Sequence, residues 1–241
     1  FFRDEFLSLL GTVDVYFIED DKDTAYLYYN NCAVKVTKNE KVAIDYIDLG
    51  GYVWRDQVID RDFDLCQSFD CDYKTFISNV SGDDKQTIKS MRSTIGFMMH
   101  AYKNLSYCPA VILNDEVISD TQILCFDDVK KHFDFERLFS VVTEGLTLEK
   151  KNKDAIKVPF KKSPKVAITT NYAIKGRGNS FERRKWELEF KQFYTKDFTP
   201  LVEFGRILFA EWNQDEWCAF DNYMVENLMF YLTNGLIKAD F

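Results

Sequence analysis

Two short apolar runs, about forty residues apart, end abruptly in polar side chains, and this pattern constrains the fold more than any other feature. Ile123–Phe126 runs into Asp127 and Asp128, and Val166–Thr170 runs into Asn171. Short apolar runs bounded by polar residues are typical of buried strands, which belong to α/β folds with a parallel sheet. Because the ends of neighbouring parallel strands meet at one edge, we expect these polar side chains to lie close together.

Arg183 and Arg184 stand twelve positions beyond Asn171 and extend this polar set. The acid pair, the amide and the arginines together suit a nucleoside-triphosphate hydrolase. Carboxylates hold Mg²⁺ and a water, an amide orients that water, and arginine neutralises the charge that spreads over the transferred phosphoryl group. Such enzymes also need a glycine-rich phosphate loop with a lysine, and no such loop occurs in the chain.

The connection before the acid pair is too short for the fold that these strands predict. Ala110–Leu113 and Thr121–Phe126 both read as core strands, yet only four residues separate Glu116 from Thr121. Two parallel strands need a crossover of roughly a dozen residues or more, usually with a helix. Either the strands form an antiparallel hairpin, or a segment is missing between Asp120 and Thr121. We favour the missing segment, which would carry the strand–phosphate-loop–helix unit.

Charge is distributed unevenly along the 241 residues. The overall net charge of −8 argues against generic nucleic-acid binding. Residues 150–191, however, contain 13 basic and four acidic side chains, a local +9, whereas the rest of the chain carries −17. A basic block of this kind predicts a surface that faces phosphates, and a solvated, lysine-rich hairpin is the alternative.

Six cysteines and two histidines provide little for a metal site. The cysteines show no zinc-ligand spacing, and His100 lies in a helical apolar pattern that favours a packed structural role. Free cysteines beside apolar strands are typical of a reducing, cytoplasmic location. No run approaches the roughly 20 apolar residues of a membrane span, so no membrane partner is expected.

The order of these motifs resembles that of superfamily III helicases, and more narrowly the ATPase region of phage- and poxvirus-type primase–helicases. The resemblance covers about residues 105–200. It rests on the apolar run before Asp127, on Glu144-Gly145 with the lysine-rich hairpin that follows, on the Lys-x-x-x-Thr-Thr-Asn pattern ending at Asn171, and on the arginine pair.

This resemblance implies an AAA+-like P-loop ATPase core within an ATP-dependent DNA helicase. It implies ATP and Mg²⁺ as cofactors, single-stranded or forked DNA as a partner, and a homo-oligomeric ring, usually a hexamer. Asp127 and Asp128 match the Walker B acids, which hold Mg²⁺ largely through water, and Asn171 matches the sensor that contacts the γ-phosphate. Asp128 and Asn171 would thus contact the nucleotide.

Two further roles follow from the resemblance. Arg183 or Arg184 matches the arginine that is supplied to a neighbouring subunit's nucleotide. The DNA-facing hairpin of the central channel corresponds to a basic segment, whose predicted DNA-binding residues are Lys150, Lys151 and Lys153.

Four regions are expected along the chain. Residues 1–67 form a small β-rich region, 68–106 a helical linking region, 107–200 the ATPase core, and 201–241 a C-terminal helical region. The charged opening and the ending directly after a helix indicate a piece of a longer protein.

Structural roles and other functions are alternative interpretations of these residues. Asp127 and Asp128 would also serve as a cap for a following helix, and the arginines would also pair with Glu187 at helical spacing. A second function is a non-hydrolysing DNA-binding oligomerisation module derived from such an ATPase. A third is a two-metal nuclease, for which Glu116 is the only further acid nearby.

Overall fold

The structure, a computed structural model, describes residues 14–66, 68–114, 123–148, 154–176 and 178–239. Its strands are β1 Thr24–Tyr29, β2 Ala33–Thr37, β3 Lys41–Ile44, β4 Val58–Ile59, β5 Ala110–Asn114, β6 Ile123–Phe126, β7 Gly145–Leu148, β8 Ile156–Pro159, β9 Lys165–Thr169 and β10 Lys185–Glu189. Its α-helices are α1 Asp72–Val80, α2 Lys85–Met99, α3 Phe139–Thr143, α4 Asn179–Glu182, α5 Pro200–Phe204 and α6 Gln214–Asn234. In the part of the chain that is described, no helix is both long and apolar enough to cross a bilayer.

The N-terminal sheet has the strand order β3-β2-β1-β4. Strands β1, β2 and β3 pair antiparallel, and β4 joins β1 in parallel. One face carries Tyr29, Val34 and Val36, which pack with Val225 and Leu228 of α6 into one core. The long C-terminal helix therefore covers the sheet and removes its apolar face from water.

Helix α6 also packs closely against α2. A Cβ placed on Gly96 of α2 would lie only 2.3 Å from the carbonyl oxygen of Asn227, so glycine is required where the two backbones approach. Each helix begins at a capping side chain: the Asp84 carboxylate accepts from the Thr87 N–H at 2.7 Å, and the Asn213 side chain accepts from the Glu216 N–H at 2.9 Å.

The second sheet is parallel throughout and has the strand order β10-β5-β9-β6. Helices α1 and α2 cover one face, where Val111, Trp186 and Leu188 are buried. The segment after β6, with α3 and α4, covers the other face, where Ile112 and Ile168 are buried. The prediction of an α/β fold with a parallel sheet and flanking helices is confirmed, whereas a P-loop ATPase core stays a prediction.

The antiparallel alternative for β5 and β6 is wrong. Both strands pair in parallel with β9, which lies between them, so they run in the same direction. Residues 115–122, which connect them, lie outside the described residues. Apolar run length does not report strand direction, because both kinds of pairing bury the same side chains.

A buried polar cluster lies at the amino end of β9. The ammonium of Lys165 donates to the carbonyl oxygens of Phe97 and His100, and its burial lowers the pKa of Lys165 to about 8. Burial likewise lowers the pKa of His100 to about 4 and raises that of Asp20 to about 6. The Asp20 carboxylate accepts from the backbone N–H groups of Tyr26 and Ala101 at 2.9 and 2.7 Å. This cluster joins the N-terminal sheet to α2 and to the parallel sheet.

Asp20 and His100 have opposite effects on stability between pH 4 and 6. The folded state holds the extra proton on Asp20 between its unfolded value of 3.8 and about 6, so this group destabilises the protein as the pH rises. The unfolded state holds the extra proton on His100 between about 4 and 6.5, so this group destabilises the protein as the pH falls.

We expect Asp20→Asn to isolate the contribution of Asp20. The free energy of unfolding of the variant, relative to the unmodified protein, should rise by ~1.4 kcal/mol per pH unit from pH 4 to 6. Urea unfolding at a series of pH values measures this difference. Asp23→Asn, at an exposed position, is the control and should show a flat difference. A flat difference for Asp20→Asn as well would contradict the assignment.

Candidate functional site at the carboxyl edge of the parallel sheet

The acid pair and the amide follow two neighbouring strands. Phe126 pairs with Ile168, so Asp127 lies opposite Thr169 where β6 and β9 end. Asp127, Asp128 and Asn171 are all exposed. The structure therefore brings the three predicted residues to one open edge of the sheet, with Asn171 two residues beyond the partner of Asp127.

Thr169 holds the acid pair in place. Its hydroxyl donates to Oδ1 of Asp127 at 2.5 Å and accepts from the Asp128 N–H at 2.7 Å. Asp128 has a φ of +45°, a left-handed conformation that aspartate adopts more readily than most residues. The next N–H, of Val129, donates to the Thr169 carbonyl at 2.9 Å. One buried threonine thus fixes the direction of the chain through both acids.

Thr170 fixes the turn that carries Asn171. Its N–H donates to the Leu113 carbonyl of β5 at 2.9 Å, and its hydroxyl donates to the Val129 carbonyl at 2.8 Å. The Tyr172 N–H donates to the same hydroxyl at 3.1 Å. Thr170 is buried and bonded to three segments, so Asn171 projects from a well-anchored point beside the ends of β5 and β6.

Thr169 and Thr170 are positioning residues that the sequence pattern did not single out. Both stand at the end of an apolar run, where a threonine fits a strand as well as a site. A usable signal was present: two hydroxyls directly before a polar residue at a strand end are able to bond the neighbouring strand tips.

The two arginines differ in their surroundings. Arg184 donates to the Ser180 carbonyl at 2.9 Å and lies 4.7 Å above the Phe139 ring, half-buried. Arg183 is exposed and bonds only weakly to the Asn179 carbonyl, at 3.3 Å. Neither forms the predicted pair with Glu187, which instead contacts Lys185 at 3.0 Å, because Glu187 lies on β10 and not on a helix. Of the two, Arg183 is the side chain presented to solvent.

The basic hairpin is only partly described. Strands β7 and β8 pair antiparallel from Gly145–Pro159 to Leu148–Ile156. Gly145 has a φ of +112°, and a Cβ there would lie 2.3 Å from the Val158 carbonyl oxygen, so the strand entry needs glycine. Glu144, just before it, is exposed. The predicted DNA-binding residues Lys150, Lys151 and Lys153 lie outside the described residues. Lys157, Lys161 and Lys162 are described and exposed.

The donor set at the edge fits Mg²⁺ held through water. Magnesium keeps several waters and uses one or two carboxylates together with substrate phosphates. Among the described residues, no group of three or more His, Cys, Asp or Glu side chains converges as a complete metal site. The two-metal nuclease interpretation requires such convergence, and Glu116 lies outside the described residues, so that interpretation gains no support.

Comparison with known proteins adds little. No protein-family model matches the chain, and no curated protein matches it either. Two solved structures of the NrS-1 C-terminal region in an apo A form share 11% identity with it. They match over 91% and 90% of this chain and 67% of theirs, each with a TM-score of 0.36. A likeness at this level is too weak to assign a fold or a function.

We expect Thr169→Val to destabilise the protein by about 1–2 kcal/mol, because the Asp128 N–H and the Asp127 carboxylate lose their shared partner. Thr169→Ser retains the hydroxyl and is the matched control. Urea unfolding of the two variants measures the difference. A valine variant as stable as the unmodified protein would show that the threonine hydroxyl does not hold the acid pair.

Proposed function

We propose that this chain is the ATPase motor of a DNA helicase of the superfamily III type. The observation that carries the proposal is the parallel pairing of β6 with β9, which brings Asp127, Asp128 and Asn171 to one exposed edge. Paired carboxylates beside an amide are the groups that triphosphate hydrolysis requires near the γ-phosphate.

Each residue has a distinct role in this proposal. Asp128 and Asp127 would hold the waters of a bound Mg²⁺, and one of them would accept a proton from the attacking water. Asn171 donates to that water or to the γ-phosphate and so aligns the attack. When bound, Mg²⁺ supplies charge neutralisation on the β- and γ-phosphate oxygens. Thr169 acts through Asp127 as a positioning residue.

In this proposal, the loop that binds the phosphates follows β5. This strand ends at the same edge, beside β9, which is where a loop after β5 would reach the acids. The printed chain passes from Asn114 to Ile123 in eight residues that include no glycine and no lysine. We therefore propose that the natural polypeptide carries a further segment between Asp120 and Thr121. The intact mass of the protein expressed from its natural gene tests this directly.

DNA is proposed to contact the β7–β8 hairpin. Exposed lysines continue from Lys157 to Lys162, next to the predicted DNA-binding lysines, within the block of net charge +9. Exposed lysines contact the phosphate backbone without reading bases.

A second function is favoured by the connection between β5 and β6 as it stands. Residues 115–122 include Asp115, Glu116 and Asp120, and three acids there would repel a triphosphate. If Asp120 is bonded to Thr121 in the natural protein, the chain is a DNA-binding oligomerisation module that does not hydrolyse ATP.

We expect the full natural protein to hydrolyse ATP with stimulation by single-stranded DNA. Asp127→Asn combined with Asp128→Asn should lower kcat by at least about a hundredfold, because both carboxylates act at the reacting phosphate. Steady-state phosphate release measures the rate. Asp154→Asn, at an exposed acid of the hairpin, is the control and should retain turnover.

The DNA arm of that experiment uses the same preparations. Lys157→Gln with Lys161→Gln should weaken single-stranded DNA binding and reduce the salt slope by about 0.7 for each lost phosphate contact. Lys22→Gln with Lys38→Gln, both exposed on the N-terminal sheet side, should leave the slope unchanged. DNA binding without turnover would select the non-hydrolysing module. Neither binding nor turnover would overturn both proposals.

We expect replacement of Arg184 to lower mainly stability and replacement of Arg183 to lower mainly ATP turnover. Arg184→Ala should destabilise the fold by about 1–2 kcal/mol, because it loses a hydrogen bond and its contact with the Phe139 ring. Arg183→Ala should change stability by less than about 0.5 kcal/mol, yet lower ATP turnover of the assembled protein by at least about a hundredfold.

Mixing subunits tests whether Arg183 acts on a neighbour. An Arg183→Ala subunit retains its acids, and an Asp127→Asn subunit retains its arginine, so a mixed ring should regain part of the turnover that each variant lacks alone. A mixture as inactive as its components would contradict action between subunits.

A further inference from the structure

The segment that follows β4 is bound firmly along α6. The guanidinium of Arg61 donates from Nε and Nη2 to the two carboxylate oxygens of Asp221, at 2.7 and 2.5 Å. The Asn222 amide donates to the Asp64 carbonyl at 2.7 Å. Because Asp221 and Asn222 are both buried, these bonds fix residues 61–64 against the first turns of the helix.

This anchoring brings two thiols together. Cys218 of α6 donates its S–H to the Asp64 carbonyl at 3.4 Å, and Cys66, two residues further on, donates to the Ser68 carbonyl at 3.0 Å. The side chain of Cys66 acts on the Cys218 thiol as a neighbouring group, and the Asp64 carbonyl that accepts from Cys218 stands two residues before Cys66. Burial, followed by the interaction with Cys66, raises the pKa of Cys218 to about 12. Both cysteines are reduced and partly exposed.

We propose that Cys66 and Cys218 form a reversible disulfide that locks the N-terminal sheet to α6. The two cysteines stand on separate elements whose spacing is already set by the Arg61–Asp221 and Asn222–Asp64 contacts. These contacts hold the two elements together while the side chains rotate to the geometry that a disulfide requires.

The oxidant is a small-molecule disulfide such as oxidised glutathione, which accepts two electrons through thiol–disulfide exchange. The Cys66 thiolate attacks one glutathione sulfur, forms a mixed disulfide and releases one glutathione thiolate. Cys218 then loses its proton to solvent, and its thiolate attacks Cys66 Sγ. The protein disulfide forms, and the second glutathione thiolate leaves. Two protein thiols are oxidised, and one glutathione disulfide is reduced to two thiols.

The order of attack follows from the environment of Cys218. A thiol with a pKa of about 12 is protonated at neutral pH, so Cys218 is a poor first nucleophile. It becomes effective in the second step, because the mixed disulfide on Cys66 is held next to it and the reaction is intramolecular. Cys66 is thus the attacking residue and Cys218 the resolving residue.

The test is peptide mapping of the native full chain after treatment with oxidised glutathione. Non-reducing digestion with trypsin should give the peptide of residues 62–74 linked to the peptide of residues 207–238, with the loss of two hydrogen atoms. Cys66→Ser and Cys218→Ser should each abolish the link. Cys218→Ser should leave glutathione on Cys66 as a stable mixed disulfide.

Cys71 provides the critical control, because it lies in the same tryptic peptide as Cys66 and is buried against Ala219 of α6. Cys71→Ala should retain the link. Loss of the link in Cys71→Ala, or its survival in Cys66→Ser, would assign the bond to Cys71 and overturn the proposal.

A second measurement uses the unmodified protein and therefore does not depend on whether the cysteine variants fold. Phenylarsine oxide binds two thiols only when they lie close together, so one equivalent should protect Cys66 and Cys218 of the unmodified native protein from alkylation. Independent alkylation of both thiols in its presence would overturn the pairing.

Discussion

Strand β9 is the element on which the rest of the parallel sheet depends. It lies between β5 and β6, and all five of its side chains are buried. Lys165 at its amino end donates to two carbonyls at the end of α2, and Thr169 at its carboxyl end bonds the acid pair after β6. A buried ammonium is costly unless its donors are satisfied. The position of β9 therefore fixes both a structural junction and the geometry of the candidate site.

The two ends of β9 place different chemistry at the two edges of one sheet. At the amino edge, Lys165, His100 and Asp20 are buried, and their shifted pKa values follow from burial. At the carboxyl edge, Asp127 and Asn171 are open to solvent. Perturbed titration alone would point to the amino edge as a functional site. Access separates the two edges, because the amino-edge cluster is buried and closed to a ligand, whereas the side chains at the carboxyl edge are exposed.

Much of the parallel sheet follows from sequence, and the reasons for the failures are physical. Buried parallel strands carry continuous apolar runs, so Ile123–Phe126 and Val166–Thr170 located β6 and β9, and the shared edge followed from parallel pairing. Strand order did not follow, because it depends on packing between distant segments. Thr169 was hidden in an apolar run. The choice between Arg183 and Arg184 rests on which side chain meets Phe139, and adjacent positions look alike in a sequence.

The connection between β5 and β6 has to meet two requirements, closure of the parallel sheet and binding of a phosphate. From the end of β5 to the start of β6 the chain must travel about five residues along the strands, ~17 Å, and two strand positions across, ~10 Å. Nine peptide steps extend to ~30 Å, which exceeds this straight-line distance, but a parallel crossover must also pass over the face of β9 and ordinarily takes about a dozen residues or more. A phosphate site requires more: a glycine-rich loop and a helix N-terminus that aims N–H groups at the anion. Asp115, Glu116 and Asp120 are instead negatively charged and would repel the anion. Closure of the sheet and capacity for hydrolysis therefore place separate requirements on this connection, since its length decides the first and its glycine, lysine and helix content decide the second.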